Sequence, residues 1–109
     1  MAKKTQKEIA CGHNSDKDTI TKTKEAKDPG AAVNEAIKAT EAKADMERVT
    51  FRTFHCPLDE KSNCSKKTNL KSDKDDIETT ATVYWDKTAK VWRAEAKSTW
   101  EASFDCEKP

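Results

Sequence analysis

Near the end of the chain, Trp92, Ala94, Ala96, Ser98, Trp100, Ala102, Phe104 and Cys106 recur at every second position, with Arg93, Glu95, Lys97, Thr99, Glu101, Ser103 and Asp105 between them. Successive side chains of an extended chain point to opposite faces, so this alternation predicts a strand with one face buried and the other in water. A face that long and apolar needs a pairing strand beside it and a layer above it.

The preceding segment supplies the strand. If "IETTATVYW" and "VWRAEAKSTW" form a hairpin with Lys87 to Lys90 as its loop, Trp85 pairs with Trp92, Val83 with Ala94, Ala81 with Ala96, Thr79 with Ser98 and Ile77 with Trp100, all on one face. The other face then pairs Tyr84 with Arg93, Thr82 with Glu95 and Thr80 with Lys97. A slip of one residue would bury those charges, so the register is strongly specified. Tryptophans near the ends of the apolar face and alanines in its middle leave a trough for a helix.

That helix is legible upstream. Asp28 can accept hydrogen bonds from free first-turn amides, Pro29 suits the first helical position, and "AAVNEAIKATEAKADMERV" is rich in helix formers. Val33, Ala36, Ile37, Thr40 and Ala44 fall on one face, opposite Asn34, Lys38, Glu41 and Asp45, over a helix of roughly 16 residues. The β-branched and aromatic run "VTFRTFHCP" predicts a strand leaving the helix and ending at Pro57, which cannot donate to a ladder. The turn-rich stretch from Leu58 to Asp76 predicts a lysine-bearing loop with a short strand around Thr68 to Ser72. Residues 1–28 are polar, with Ile9 and Ile20 as their aliphatic anchors, and "DTITKTK" reads either as an edge strand or as a solvated tail.

These readings combine into an α+β fold, one helix on one face of an antiparallel sheet of three to five strands. Residues 29–109 form the domain and 1–28 a partly mobile N-terminal segment. At 109 residues there is room for one domain, and with 38% charged residues and leucine only at 58 and 70 its core is small. A net charge of +1 argues against disorder, which normally accompanies high net charge.

The same balance argues against nucleic acid or anionic membrane as a partner. Lysines are interleaved with Asp and Glu, and the arginines are limited to Arg48, Arg52 and Arg93. No stretch approaches the roughly 20 apolar residues of a membrane span, and "MAKKTQKEIACG" lacks the apolar core of a signal peptide.

Three tryptophans invite a stacking platform for bases or sugars. All three are better read as core, but Trp100 lies further along a strand that can outrun the helix and is therefore also a candidate for a partner surface, together with Tyr84, Arg93, Lys66 and Lys67. Cys11, Cys56, Cys64 and Cys106 are even in number and far apart, the pattern of a disulfide framework in a domain with little aliphatic core. Cys56 and Cys64 flank a short loop, which predicts a Cys56–Cys64 bridge and, by elimination, Cys11–Cys106. A zinc site using these cysteines with His13 and His55 lacks the usual C-x-x-C hook.

Catalytic machinery is not expected. On a strand, His55 points away from its neighbour Cys56, and with glycine only at 12 and 30 no glycine-rich phosphate loop can form. The carboxylate pairs Asp75–Asp76 and Asp16/Asp18 lie among lysines and read as solvated. No cofactor or metal is expected.

The element order resembles the helix-wrapped sheet of cystatin-type and related α+β folds. The resemblance is topological; the motifs by which a cystatin binds its protease are absent, so it carries over no residue and no activity. Two function classes follow. The first is a small disulfide-stapled domain of inhibitor, immunity or accessory type that binds another protein outside the cytoplasm. The second is an intracellular adaptor or nucleic-acid-associated module with free or zinc-bound cysteines. Either leaves one sheet face open to self-association.

Overall fold

Strand β4, Val91–Glu107, is the centre of the molecule, and every other strand among the described residues pairs with it. The computed structural model describes residues 4–58, 63–71 and 77–109. Along one edge of β4 runs β1, Gly12–Ala26, antiparallel from Gly12↔Cys106 to Ala26↔Trp92. The other edge is shared: β3, Glu78–Asp86, pairs with its first half and β2, Lys66–Lys71, with its last residues. Helix α1, Pro29–Arg52, lies across one face, chiefly over β4 and β1. The result is the expected α+β architecture, drawn out along β4 to 62 × 22 × 14 Å.

The β3–β4 hairpin has the register read from its alternation, from Thr79↔Ser98 through Val83↔Ala94 to Trp85↔Trp92. Its described ladder starts at Glu78↔Thr99, so Ile77 packs beside the core without pairing to Trp100. In the loop, Asp86 Oδ1 accepts from the amides of Thr88 and Ala89, both at 3.0 Å, and Lys90 adopts φ 57°.

The stretch "DTITKTK", readable as edge strand or tail, lies within a longer strand that runs from Gly12 to Ala26. Its helix-facing positions Asn14, Asp16, Asp18 and Ile20 are buried. Asp16 and Asp18 are therefore not solvated carboxylates: each accepts from the amide after it, Lys17 at 2.9 Å and Thr19 at 2.8 Å, and Asp16 also from the Lys4 amide. Asp75 and Asp76 lie outside the described residues.

Helix α1 starts as its cap predicts, with Asp28 accepting from the Ala31 amide at 2.9 Å. It runs to Arg52, so of the strand expected over residues 49–57 the first four residues are helical and residues 53–57 form a non-strand connection. Packing decides this against β propensity. Phe51 continues the buried face of Ala32, Ala36, Thr40, Ala44, Glu47 and Arg48, and its ring lies 5.2 Å from Phe104 and 6.3 Å from Trp100. Val33 and Ile37 sit half-buried at the border of that face.

The core is in two parts. At the β2 end, Phe51, Trp100, Phe104, Ile9 and Ile20 pack with Cys56, Cys64 and Cys106; at the hairpin end the contacts are among Ala32, Ala36, Ala94 and Ala96, which let the helix approach the sheet closely. Between them Ser98 donates to Thr40 Oγ1 at 2.9 Å and lies 2.8 Å from Thr79 Oγ1, which donates to Glu41 at 2.9 Å. Because α1 covers β1 and β4 and leaves β3 at its margin, Trp92 packs half-buried against the hairpin-end core as expected, but Trp85 does not reach the core and Trp100 is no partner surface. Trp100 is 1% exposed, its indole N–H donating to Glu47, whereas Trp85 is 45% exposed.

Candidate functional site

All four cysteines are bridged, as Cys11–Cys64 and Cys56–Cys106. The expected partners are corrected by strand phase. Cys106 faces the helix side and stands opposite Gly12, so Cys11 is one residue out of phase with it. The chain leaving α1 carries Cys56 to the buried face of Cys106 instead, and Cys11 takes Cys64. Gly12, at φ 95°, makes the bend between bridge and strand; nothing lies within 4 Å of where a Cβ would sit, so the need for glycine is conformational.

The consequence is a clamp. The connection between α1 and β2 departs from Cys56, fixed to the end of β4, and returns at Cys64, fixed to the start of β1. The N-terminal segment closes the same end: Ile9 is buried, and the Gln6 side-chain amide donates to His55 O at 2.8 Å and accepts from His55 N at 2.9 Å. Immediately after Cys56 come Pro57 and Leu58, and Leu58 is 80% exposed, the highest value for a large hydrophobic side chain among the described residues. On the return side Asn63 adopts φ 45°, a conformation asparagine tolerates.

Lys67 Nζ donates to the carbonyls of Arg52 and Phe54, the latter at 2.7 Å, and lies 4.4 Å from the Phe104 ring centroid. It thus satisfies free carbonyls at the C-terminus of α1. Burial, and then the charge of Arg52, hold its pKa below the ordinary lysine value. Lys66, its neighbour, is exposed.

The uncovered face of the sheet is polar and internally paired. Arg93 bridges Glu25 of β1 at 2.8 Å and Asp86 of β3 at 2.7 Å. Its hydrogen bond to Asp86 holds that carboxyl below the usual carboxylate range, helped by the loop amides. Asp105 accepts from Asn69 of β2 at 2.7 Å and meets His13 Nδ1 of β1 at 2.7 Å. Ser15, Lys17, Thr19, Thr99 and Glu101 line a shallow groove there, with the Thr19 and Thr99 hydroxyls 2.9 Å apart.

The residues assigned from sequence to a partner surface do not come together. Tyr84, 55% exposed, and Arg93 share the hairpin end of the open face. Lys66 and Lys67 pair opposite Glu107 and Cys106, some 13 residues further along β4, or roughly 40 Å at strand spacing. Trp100 is core and Lys67 a helix cap, so neither presents to a partner. Sequence reading missed Leu58, whose signal was its place between two cysteines, and the exposure of Val83 and Trp85, for which sequence carried no signal because it depends on where the helix lies.

Two disulfides favour an oxidising, extracytoplasmic setting. With no thiol free, the zinc reading of these cysteines has lost its sulfur ligands, and among the described residues no group of three or more His, Cys, Asp or Glu side chains could hold a metal ion. Among the described residues no helix is long and apolar enough to cross a membrane. No protein-family model, curated protein or solved structure matches the chain.

Proposed function

We propose that the chain is a small, non-enzymatic protein-binding domain of inhibitor, immunity or accessory type, and that it meets its partner at the clamped end, through Pro57 and Leu58. The observation that carries this reading is the 80% exposure of Leu58 two residues after a cysteine bridged to the sheet. A large aliphatic side chain in water is an ordinary surface feature in isolation. Held at the root of a segment tied at Cys56 and Cys64, it becomes an anchor whose ordering cost on binding is already met by the fold. Anchors of this kind, buried at the centre of an interface, supply most of its energy. Exposed Lys66, nearby on β2, would serve its polar rim.

The test is site-specific photo-crosslinking. With a benzophenone side chain at position 58, oxidised protein incubated with the source organism's extracytoplasmic proteins is expected to label one protein, and labelling is expected to disappear on reduction. The same probe at Thr82, on the open face, is expected to leave that protein unlabelled. Equal labelling from both positions, or labelling that survives reduction, would overturn the reading.

A further inference from the structure

Beyond the clamped end, we infer that a second copy of the chain pairs with β3, joining two sheets edge to edge about a two-fold axis through Val83. Among the described residues no strand covers the outer edge of β3. Native edges are usually blocked by lysine, proline, bulges or covering segments. β1, whose outer edge is also free among the described residues, carries Lys17, Lys22 and Lys24. By contrast, Thr79 to Trp85 contains no charge and no proline, and Val83, Tyr84 and Trp85 are 40%, 55% and 45% exposed.

The strand is also its own complement. It needs a neighbour with apolar side chains on the helix side and hydroxyls on the other. β3 has that pattern, with Ala81, Val83 and Trp85 on the first face and Thr80, Thr82 and Tyr84 on the second. A two-fold axis perpendicular to the sheet keeps both helices on the same side, so like faces coincide.

Register follows from size and charge. Antiparallel pairing centred on Val83 sets it against its own copy, Ala81 against Trp85, Thr82 against Tyr84 and Thr80 against Asp86. The small Ala81 leaves room for the half-exposed Trp85 of the other copy, and just beyond the ladder Glu78 comes beside Lys87 at each end. Pairing centred on Thr82 would instead oppose Glu78 to Asp86 twice, a like-charge pair that destabilises a ladder. The shared ladder, seven residues or roughly 23 Å long, is small beside a standard interface, so the dimer belongs to the weak, concentration-dependent class.

Sedimentation velocity on the oxidised chain is expected to show mass rising from 12.2 kDa towards twice that value between roughly 10 µM and 1 mM. Val83→Lys, which sets two ammonium groups against each other at the axis, is expected to weaken association at least about tenfold in a monomer that still folds, as its circular dichroism at low concentration would record. Val83→Cys is expected to give a covalent dimer on mild oxidation, with peptide mapping joining the two copies through the introduced thiols, whereas Thr82→Cys is not. A chain that stays monomeric throughout, dimers unaffected by Val83→Lys, or crosslinking through Thr82→Cys rather than Val83→Cys would overturn the inference.

Discussion

Trp100 and Trp85 sit on the same face of adjacent strands, yet one is sealed beneath a helix and the other is half in water. Their chemistry is identical, so the difference lies in which strands α1 crosses, a property that no alternation pattern contains. Trp100→Ala is expected to cost about 3–5 kcal/mol, the range for emptying a large core aromatic, and to leave Glu47 without its indole donor. Trp85→Ala should cost well under half as much. Chemical denaturation of both variants measures the contrast, and equal losses would place the helix wrongly. Thr40 makes a second test at this scale. It takes the Ser98 hydrogen bond in the middle of the helix–sheet interface, so Thr40→Val keeps shape and removes a buried acceptor, with an expected loss of about 1–3 kcal/mol.

For the elements, the hairpin was readable because two faces of opposite character lock its register, and the helix start because Asp28-Pro29 combines a cap with a preferred first residue. The helix end was not. Val49, Thr50 and Phe51 favour strands in isolation, and the packing of Phe51 on Phe104 and Trp100, which no local pattern contains, favours the helix instead. β1 was obscured for a related reason: its buried positions hold Asn14, Asp16 and Asp18, polar side chains satisfied by nearby amides. At the hairpin loop, Lys90 occupies the left-handed region, which costs a non-glycine residue roughly 1–2 kcal/mol. Lys90→Gly is expected to raise the melting temperature, the relief exceeding the added freedom of the unfolded chain. The Asp86 carboxyl at the same loop sits below its ordinary pKa in the fold because Arg93 hydrogen-bonds it. A group depressed in the folded state contributes stability above its unfolded pKa and loses it as pH falls through the folded one. The melting-temperature advantage over Asp86→Asn should therefore be full at neutral pH and shrink only below the ordinary carboxylate range. An advantage independent of pH would assign the effect to the loop geometry alone.

Across the whole molecule, two bridges hold together what a modest core leaves weak. Cys11–Cys64 and Cys56–Cys106 close loops of 53 and 50 residues, each restraining the unfolded chain by about 4 kcal/mol in the entropy model. Set against a total stability of about 5–15 kcal/mol for a domain, their joint loss is expected to unfold the chain at ambient temperature, which circular dichroism before and after reduction would record. The presence of a disulfide framework was legible from four spaced cysteines. Its connectivity was not, because it depends on the one-residue phase between Cys11 and Cys106 and on the path of the chain after α1. That connectivity is also what makes the clamped end, since only bridges from Cys56 and Cys64 to separate strands tie both roots of the connection to the sheet. Peptide mapping of the native, unreduced protein tests it most directly. It should recover Cys11 joined to Cys64 and Cys56 joined to Cys106, with no free thiol; a Cys56–Cys64 peptide, a Cys11–Cys106 peptide, or four free thiols would contradict the clamp and the binding function built on it.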